Sequence, residues 1–417
     1  MPSEPADETG ALDTILRAAV LLHDSGQSTA MTMTAVQRLS RGLGQPAEVI
    51  PGWSALTVYD PRTGGADALV GRARPVAVNM RRVAAVMRTV DDAGRRPIDR
   101  VEVERALEAA AGLPPSSTAA FTAACGLGAA ALSIVFGVGD IRAIAVIAAA
   151  AALGGLFRRL VATVTTDVLL PVFGAALIAG GAGALAGGLG LDAPGGLVAL
   201  CPAMVMVPGP QILIGAMDLL AARVNLALAR LGYALLILAV IAGGLTIGMY
   251  AGGQTLPLSS SAAEVPFTLD VVAAGVAAAC YPVFFSMPYR LLGWPIVVGM
   301  AAHAVHWATI EYGRSSLPVA ALMACLLAGV VLTPLTYLKH MPFAAVGFAA
   351  VVSMVPGMYV FRAVAGGAEL ATRATEPVLL AVVGDGITAT LTVAGMAVGL
   401  AVPTRVRDWV IDRTKHQ

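Results

Sequence analysis

Charged residues are nearly absent from a long central part of this chain. The 286 residues from 117 to 402 hold only 10 basic and 10 acidic side chains, whereas the first 116 residues hold 13 arginines and 14 acids. Water-soluble domains carry about 25% charged residues. This distribution predicts an all-α polytopic membrane domain behind a small soluble domain at residues 1–115.

The apolar runs in the central part have the length of membrane-spanning helices. A helix needs about 20 apolar residues to cross the bilayer core, and backbone groups inside lipid must be satisfied within the protein. We predict about ten transmembrane helices, with spans near 117–139, 143–157, 168–190, 195–217, 231–252, 268–288, 291–309, 317–337, 343–361 and 377–402.

Several classes of protein and site are disfavoured by the same sequence. The net charge of +1 gives no basic surface for nucleic acid. The acidic N-terminus lacks an apolar core, so we expect no signal peptide. The four cysteines lie in apolar runs and are expected to pack as buried thiols. No ligand spacing or cofactor motif appears, so we expect neither a metal nor a cofactor.

The soluble domain is predicted to be a small α/β fold. Apolar residues recur at helical spacing over 12–19, and a second helix is expected over 30–43. Residues 49–59 and 73–78 have the composition of strands. Asp99, with a glutamate three residues later, predicts a capping box before another helix.

The distribution of basic residues predicts the orientation in the membrane. If the soluble domain is cytoplasmic, ten basic residues face the cytoplasm and four face outside. We therefore expect both termini inside the plasma membrane and an external loop around 259–263. The membrane domain then divides into two five-helix blocks, 116–260 and 261–403, followed by a basic cytoplasmic tail, 404–417.

A Val-Pro-Gly triplet occurs in both blocks. Pro208 and Gly209 lie in the fourth span, and Pro356 and Gly357 lie in the ninth, 148 residues later. Nearly the same offset relates the start of the first span to the start of the sixth. An odd number of helices per repeat places the repeats in opposite orientations, an arrangement typical of secondary transporters.

Each Pro-Gly pair is expected to break its helix. Proline removes a backbone donor, and broken backbone at membrane depth is tolerated only against protein or a wet cavity. Half-helix N-termini suit a carboxylate, and freed carbonyls suit an ammonium group or a cation. We predict a substrate site at Pro208, Gly209, Pro356 and Gly357; a plain proline kink is the alternative.

Ionisable groups within the spans are candidates for proton coupling or gating, because charge is costly in hydrocarbon. Asp385 lies between two glycines of the tenth span. Asp218 and Arg230 flank the loop after the fourth span and are candidates for an inner gate. His303 and His306 share a helix face and are candidates for a proton relay, because histidine is the residue type whose unperturbed pKa lies near neutrality.

Arg362 follows the second Pro-Gly pair and is a candidate to bind the carboxylate of a substrate. Each of these residues also has a simpler interpretation. The acids and Arg230 are then hydrated charges at the interface, the histidines anchor the helix beside Trp307, and Arg362 extends its charge to the outer surface.

The chain resembles the threonine/serine exporter family over nearly its whole length, in the fused form that holds both blocks. The resemblance is carried by the Ser25-Gly26 turn, Thr29, Val207-Pro208-Gly209, Asp218, Arg230 and Pro356-Gly357. It implies a secondary transporter that exports small polar amino acids, driven by protons, with membrane lipid around it. Whether the chain forms a homo-oligomer is left open.

Departures from the family pattern leave the cargo open. Many members have an Arg-x-Glu pair where this chain has Met31 and Met33, and an asparagine where it has Ile214. A dicarboxylate such as succinate is the alternative to threonine or serine, although the scarcity of basic residues favours a zwitterion. A hydrolase in the soluble domain would need a motif such as GxSxG or HExxH, which is absent. The repeat disfavours a passive channel.

Overall fold

A computed structural model describes residues 5–191, 196–254, 265–339, 343–371 and 374–415. Its N-terminal domain contains four helices and one three-stranded antiparallel sheet. These elements are α1 (Pro5–Asp24), α2 (Thr29–Leu43), β1 (Glu48–Pro51), β2 (Ala55–Tyr59), β3 (Leu69–Arg72), α3 (Met80–Ala93) and α4 (Arg100–Ala111).

The sheet of the N-terminal domain is covered on one face by α1. Leu56 and Val58 alternate with half-exposed residues along the central strand β2 and are fully buried. Strand β2 pairs with β1 through Val49 opposite Val58, and with β3 through Val70 opposite Thr57. The predicted small α/β fold is therefore confirmed.

Two strand predictions are wrong in position. The run 49–59 is a hairpin of β1 and β2, because Gly52 turns the chain and its amide donates to the carbonyl of Ala55. The third strand lies at 69–72 and not at 73–78. Backbone groups of 73–78 bond elsewhere: the Ala73 amide donates to the carbonyl of Ser54.

Only some of the helix ends in this domain have the caps that the sequence predicts. Helix α2 begins behind the capping side chain of Ser28 and ends at Gly44, whose φ of 69° is the left-handed conformation that glycine permits. The capping box before α4 is wrong. Asp99 caps no amide, and Glu102 pairs with Arg96 at 2.6 Å.

Twelve helices follow in the part of the chain described. Eight are long and apolar enough to cross a membrane, and two pairs, α8–α9 and α14–α15, would each form one bent span, which gives up to ten spans. They are α5 (Thr118–Val135), α6 (Ile141–Val161), α7 (Leu169–Gly188), α8 (Leu197–Met204), α9 (Gly209–Leu220), α10 (Val224–Ala251), α11 (Phe267–Phe284), α12 (Gly293–Glu311), α13 (Leu317–Lys339), α14 (Phe343–Val351), α15 (Gly357–Leu370) and α16 (Glu376–Lys415).

The same helix pairings recur in the two blocks. Helix α7 packs along α10 in the first block, as α13 packs along α16 in the second, and α5 packs against α11 between blocks. Glycines permit both close approaches: a Cβ on Gly248 would lie 2.5 Å from the Leu177 carbonyl oxygen, and one on Gly399 2.7 Å from that of Leu322. The inverted orientation of the blocks stays a prediction.

The N-terminal domain is attached to both blocks on one side of the helices. The amides at the start of α3, on Met80 and Arg81, donate to the carbonyls of Phe285 and Ser286 at 3.0 and 3.1 Å. Arg405 of α16 donates to the Leu220 carbonyl at 2.8 Å on that same side. The loop predicted to be external, around 259–263, lies outside the described residues.

Candidate functional site

Both Pro-Gly pairs interrupt a helix with nearly the same backbone geometry. Pro208 has φ −77° and ψ 56°, and Pro356 has φ −77° and ψ 45°. In each case the glycine begins the next helix, and the two halves meet at bends of 66° and 63°. Proline cannot donate a backbone hydrogen bond, so the helix ends before it and restarts after it.

The two breaks lie against each other. A Cβ on Gly209 would lie 1.9 Å from the ring of Phe348 in the second broken span. A Cβ on Gly357 would lie 3.3 Å from Met204 Cγ in the first. Each break thus contacts the opposite block, and the four residues predicted from the repeat are brought together at one place.

The junction between the breaks is closed and apolar. The space there measures only about 10 Å³, enough for about one water molecule, and Phe348, Met204 and Tyr281 help to line it. The Tyr281 hydroxyl donates to the carbonyl of Met204 at 3.3 Å, which satisfies a carbonyl near the end of α8. A substrate would need this junction to open.

A larger cavity opens on the side of the N-terminal domain and reaches the first break. Its volume is about 510 Å³, and its walls include Val207, Pro208 and Gln211 from the break. Three arginines also line it, Arg82 from the N-terminal domain and the neighbours Arg158 and Arg159 from α6. The first break is therefore accessible from that side.

A buried polar network joins the N-terminal domain to the first block. Asp218 accepts hydrogen bonds from Thr29 Oγ1 at 2.9 Å, Arg223 Nη1 at 3.1 Å and Arg230 Nε at 3.2 Å. Thr29, Asp218 and Arg230 are each at most 2% exposed. Because Thr29 is the first residue of α2, the carboxylate also faces the positive end of that helix.

His23 completes this network from the N-terminal domain. Arg230 Nη2 lies 3.4 Å from His23 Nδ1, and because arginine only donates, this nitrogen acts as the acceptor. Burial, and to a smaller extent the charge of Arg230, lowers the pKa of His23 to about 4. The imidazole is therefore neutral at pH 7.

Two residues that the sequence placed in separate roles form an ion pair. Arg362 Nε lies 2.9 Å from Asp385 Oδ2, and the pair joins α15 to α16. The Asp218–Arg230 pair joins α9 to α10 in the same way, with the acid and base exchanged between the helices. Each ion pair thus fastens the half-helix after a break to the helix that follows.

A second buried polar cluster lies beside the second break. His303 Nε2 is 2.9 Å from Asp270 Oδ1, and His303 Nδ1 is 3.1 Å from Ser353 Oγ. All three residues are buried. The ring of His306 stacks on that of His303 at 5.7 Å between centroids. Ser353 belongs to a 3₁₀ turn, Val352–Met354, that leads into Pro356.

Two family models match the chain. The model described as a putative threonine/serine exporter matches residues 13–251, and the model described as Threonine/Serine exporter, ThrE, matches residues 270–406. The chain belongs to the threonine/serine exporter family. The two matches confirm the resemblance in its fused two-block form. No curated protein and no solved structure matches the chain.

In the structure of this exporter family member, the residues predicted from the sequence fall into four groups. The Pro-Gly pairs meet at the centre, Asp218 and Arg230 pair on the side of the N-terminal domain, and the histidines lie beside the second break. Asp385 joins Arg362 and neither joins the histidines. The described residues contain no group of three or more His, Cys, Asp or Glu that could hold a metal ion.

Some residues of these clusters were missed from the sequence. Asp270 carried a usable signal, because it is an acid inside an apolar run. Ser353 carried none, since a lone serine in a helix is unremarkable in sequence. Arg158 and Arg159 are predicted from the sequence only as two of the ten basic residues on the cytoplasmic side.

Proposed function

We propose that this chain exports small polar amino acids, threonine and serine, from the cytoplasm by alternating access driven by the proton gradient. The observation that carries the proposal is the asymmetry around the two breaks. A cavity reaches Pro208 from the side of the N-terminal domain, while Phe348 and Tyr281 close the path beyond it. An exporter waiting to load substrate from the cytoplasm needs this arrangement.

The matching pairings of the two blocks support two inverted repeats that rock around the paired breaks. In this scheme the N-terminal domain and the C-terminal tail are cytoplasmic. The Asp218–Arg230 pair acts as an inner gate element, and the Arg362–Asp385 pair as its outer counterpart. Arg362 becomes available to a substrate carboxylate when its pair with Asp385 opens.

The coupling proton is proposed to bind the Asp270–His303 pair. An acid held by arginine faces a charge that never changes, which argues against Asp385 as the carrier. An acid held by histidine faces a side chain that can itself gain or lose a proton. His303 also contacts Ser353 beside the second break, so a change in its charge would act where the helix is interrupted.

Transport in liposomes tests the function. Purified protein should move labelled threonine and serine faster than empty liposomes do, and a pH gradient should drive accumulation. Pro208→Ala and Pro356→Ala, which restore the missing backbone donors, should slow transport strongly while leaving insertion intact. Normal transport by both variants at matched protein level would refute the site at the breaks, and no transport of either amino acid would refute the function.

Export of a dicarboxylate is the second candidate. The cavity is lined by Arg82, Arg158 and Arg159 but by one acid, Asp167. This excess of positive charge is more than a zwitterion requires. Labelled succinate in the same liposomes decides between the two, because a dicarboxylate exporter should carry succinate in preference to threonine.

A further inference from the structure

The two neighbouring arginines of the cavity are held differently. Arg159 donates from Nη2 to the carbonyl of Ser116 at 3.1 Å, and its guanidinium lies 4.1 Å from the centre of the Phe121 ring. Arg158 lies over two rings, 5.4 Å from the centre of Phe284 and 5.8 Å from that of Phe121. Its Nη1 is buried, and no described residue accepts a hydrogen bond from it. Arg159 Nε is also buried without an acceptor, but Arg159 is held through its Nη2, whereas Arg158 has no hydrogen bond to a described residue.

The other charged groups of the cavity wall are already engaged. Arg82 donates from Nε to the carbonyl of Leu113 at 3.2 Å. Asp167 is the one acid among the described residues of the wall, and it accepts the amides of Leu169 and Leu170 at the start of α7, at 2.7 and 2.8 Å. Asp167 is therefore held by the start of α7, and Arg158 has no carboxylate partner in the wall.

A buried guanidinium donor without an acceptor is costly, and a cation–π contact offsets only part of that cost. Buried polar groups of native proteins are nearly always satisfied, so an unsatisfied one calls for a partner. The guanidinium is shaped for a carboxylate. Gln211, two residues after Gly209 at the first break, adds an amide to the same cavity.

We infer that Arg158 binds the carboxylate of the substrate at the cytoplasmic entrance of the transport path, with the polar remainder of the substrate directed to Gln211 at the first break. This inference deepens the proposed export function and rests on it. The carboxylate is common to threonine, serine and succinate, so the site fits either candidate cargo. Arg159 is a positioning residue that fixes Phe121 and the end of α6.

Kinetics in liposomes provide the first test, with Arg142→Gln as the control; Arg142 is exposed at the opposite end of α6, where it pairs with Asp140. Loss of a charge-assisted hydrogen bond should raise the KM for threonine about 10- to 150-fold in Arg158→Gln, with a smaller change in the maximal rate. Arg158→Lys should recover part of the loss. Arg142→Gln, which removes only an exposed ion pair, should leave KM within about 3-fold.

Competition by threoninol, which lacks the carboxylate, separates a direct contact from a general disturbance. Threoninol should inhibit transport by the wild type only weakly, and it should inhibit transport by Arg158→Gln to the same extent. Equal rises in KM for Arg158→Gln and Arg142→Gln would overturn the inference. A loss of threoninol inhibition in Arg158→Gln as large as the loss of threonine affinity would also overturn it.

A second test needs no transport. The arginine reagent phenylglyoxal is applied to the wild-type protein, and mass spectrometry follows modification of Arg158 with threonine, succinate or threoninol present. Protection by the carboxylates and not by threoninol is expected, and whichever of the two protects at lower concentration identifies the preferred cargo. Protection without transport would refute the export function and support the carboxylate site. Transport without protection would refute the carboxylate site and support the export function.

Discussion

Removal of one hydroxyl should loosen the N-terminal domain from the membrane helices. Thr29 is 1% exposed, and its Oγ1 donates to the Asp218 carboxylate at 2.9 Å. Thr29→Val replaces the hydroxyl with a methyl group of similar size. The longer bond of 3.4 Å that the hydroxyl accepts from Arg230 Nη2 is lost, but the main loss is the hydrogen bond to the charged acceptor Asp218. Such a bond contributes about 1.5–3 kcal/mol, and Asp218 keeps its two arginine partners.

The loss corresponds to a rise of about 10- to 150-fold in the population of the undocked domain. Hydrogen exchange at the first turn of α2, including the Thr32 amide that bonds to the Ser28 carbonyl, reports this opening. Thr29→Ser keeps the hydroxyl and should exchange like the wild type.

Thr34→Val is the matched control for this prediction. Thr34 lies on the same helix, and its hydroxyl donates only to the carbonyl of Ala30, within α2, at 3.0 Å. Exchange in this variant should stay within about 2-fold of the wild type. If Thr29→Val exchanged no faster than Thr34→Val, the contact with Asp218 would contribute nothing to docking. Other contacts would then hold the N-terminal domain against the membrane helices.

Three further predictions concern the central junction, the coupling site and the pH dependence. Gly209→Ala should reduce threonine efflux more than tenfold, because its Cβ would meet the Phe348 ring at 1.9 Å, and adding Phe348→Ala should restore part of the rate. Asp270→Asn should abolish transport driven by a pH gradient but retain exchange at equal pH; full gradient-driven transport would remove Asp270 from coupling. The free energy of unfolding of the N-terminal domain should fall by roughly 3 kcal/mol from pH 6.5 to 4, because unfolded His23 takes up a proton near 6.5 and the buried ring only near 4. Thermal unfolding at several pH values in this range measures the effect. If His23→Gln left the pH dependence of the unfolding free energy unchanged, His23 would not be its source.

The positions of the membrane helices were accessible from the sequence because they are set by local physics. Lipid offers the backbone no hydrogen-bond partners, so each long apolar run must be a helix, and every predicted span coincides with a helix or a bent pair. The breaks at Pro208 and Pro356 were accessible for the same reason: proline lacks the donor wherever it stands.

The structure of the N-terminal domain was harder to predict from the sequence. The composition of residues 73–78 favours a strand, yet no neighbouring strand pairs with them, and the chain instead lines the cavity with Val76 and Val78. Strand formation depends on partners that are distant in sequence. The predicted capping box was wrong for a similar reason, since Glu102 pairs with Arg96 instead of capping the helix.

The sequence by itself determined the class of the protein, the positions of its long apolar helices, its two breaks and the list of ionisable side chains inside the membrane domain. Only the tertiary structure decided which of those side chains meet. Asp218 bonds to Thr29 across 189 residues of chain, and the cluster of Asp270, His303 and Ser353 is assembled from three separate segments. Hydrophobicity acts residue by residue and can be read along the chain, whereas a hydrogen bond or an ion pair requires two groups within about 3 Å, a condition that only the packed helices satisfy.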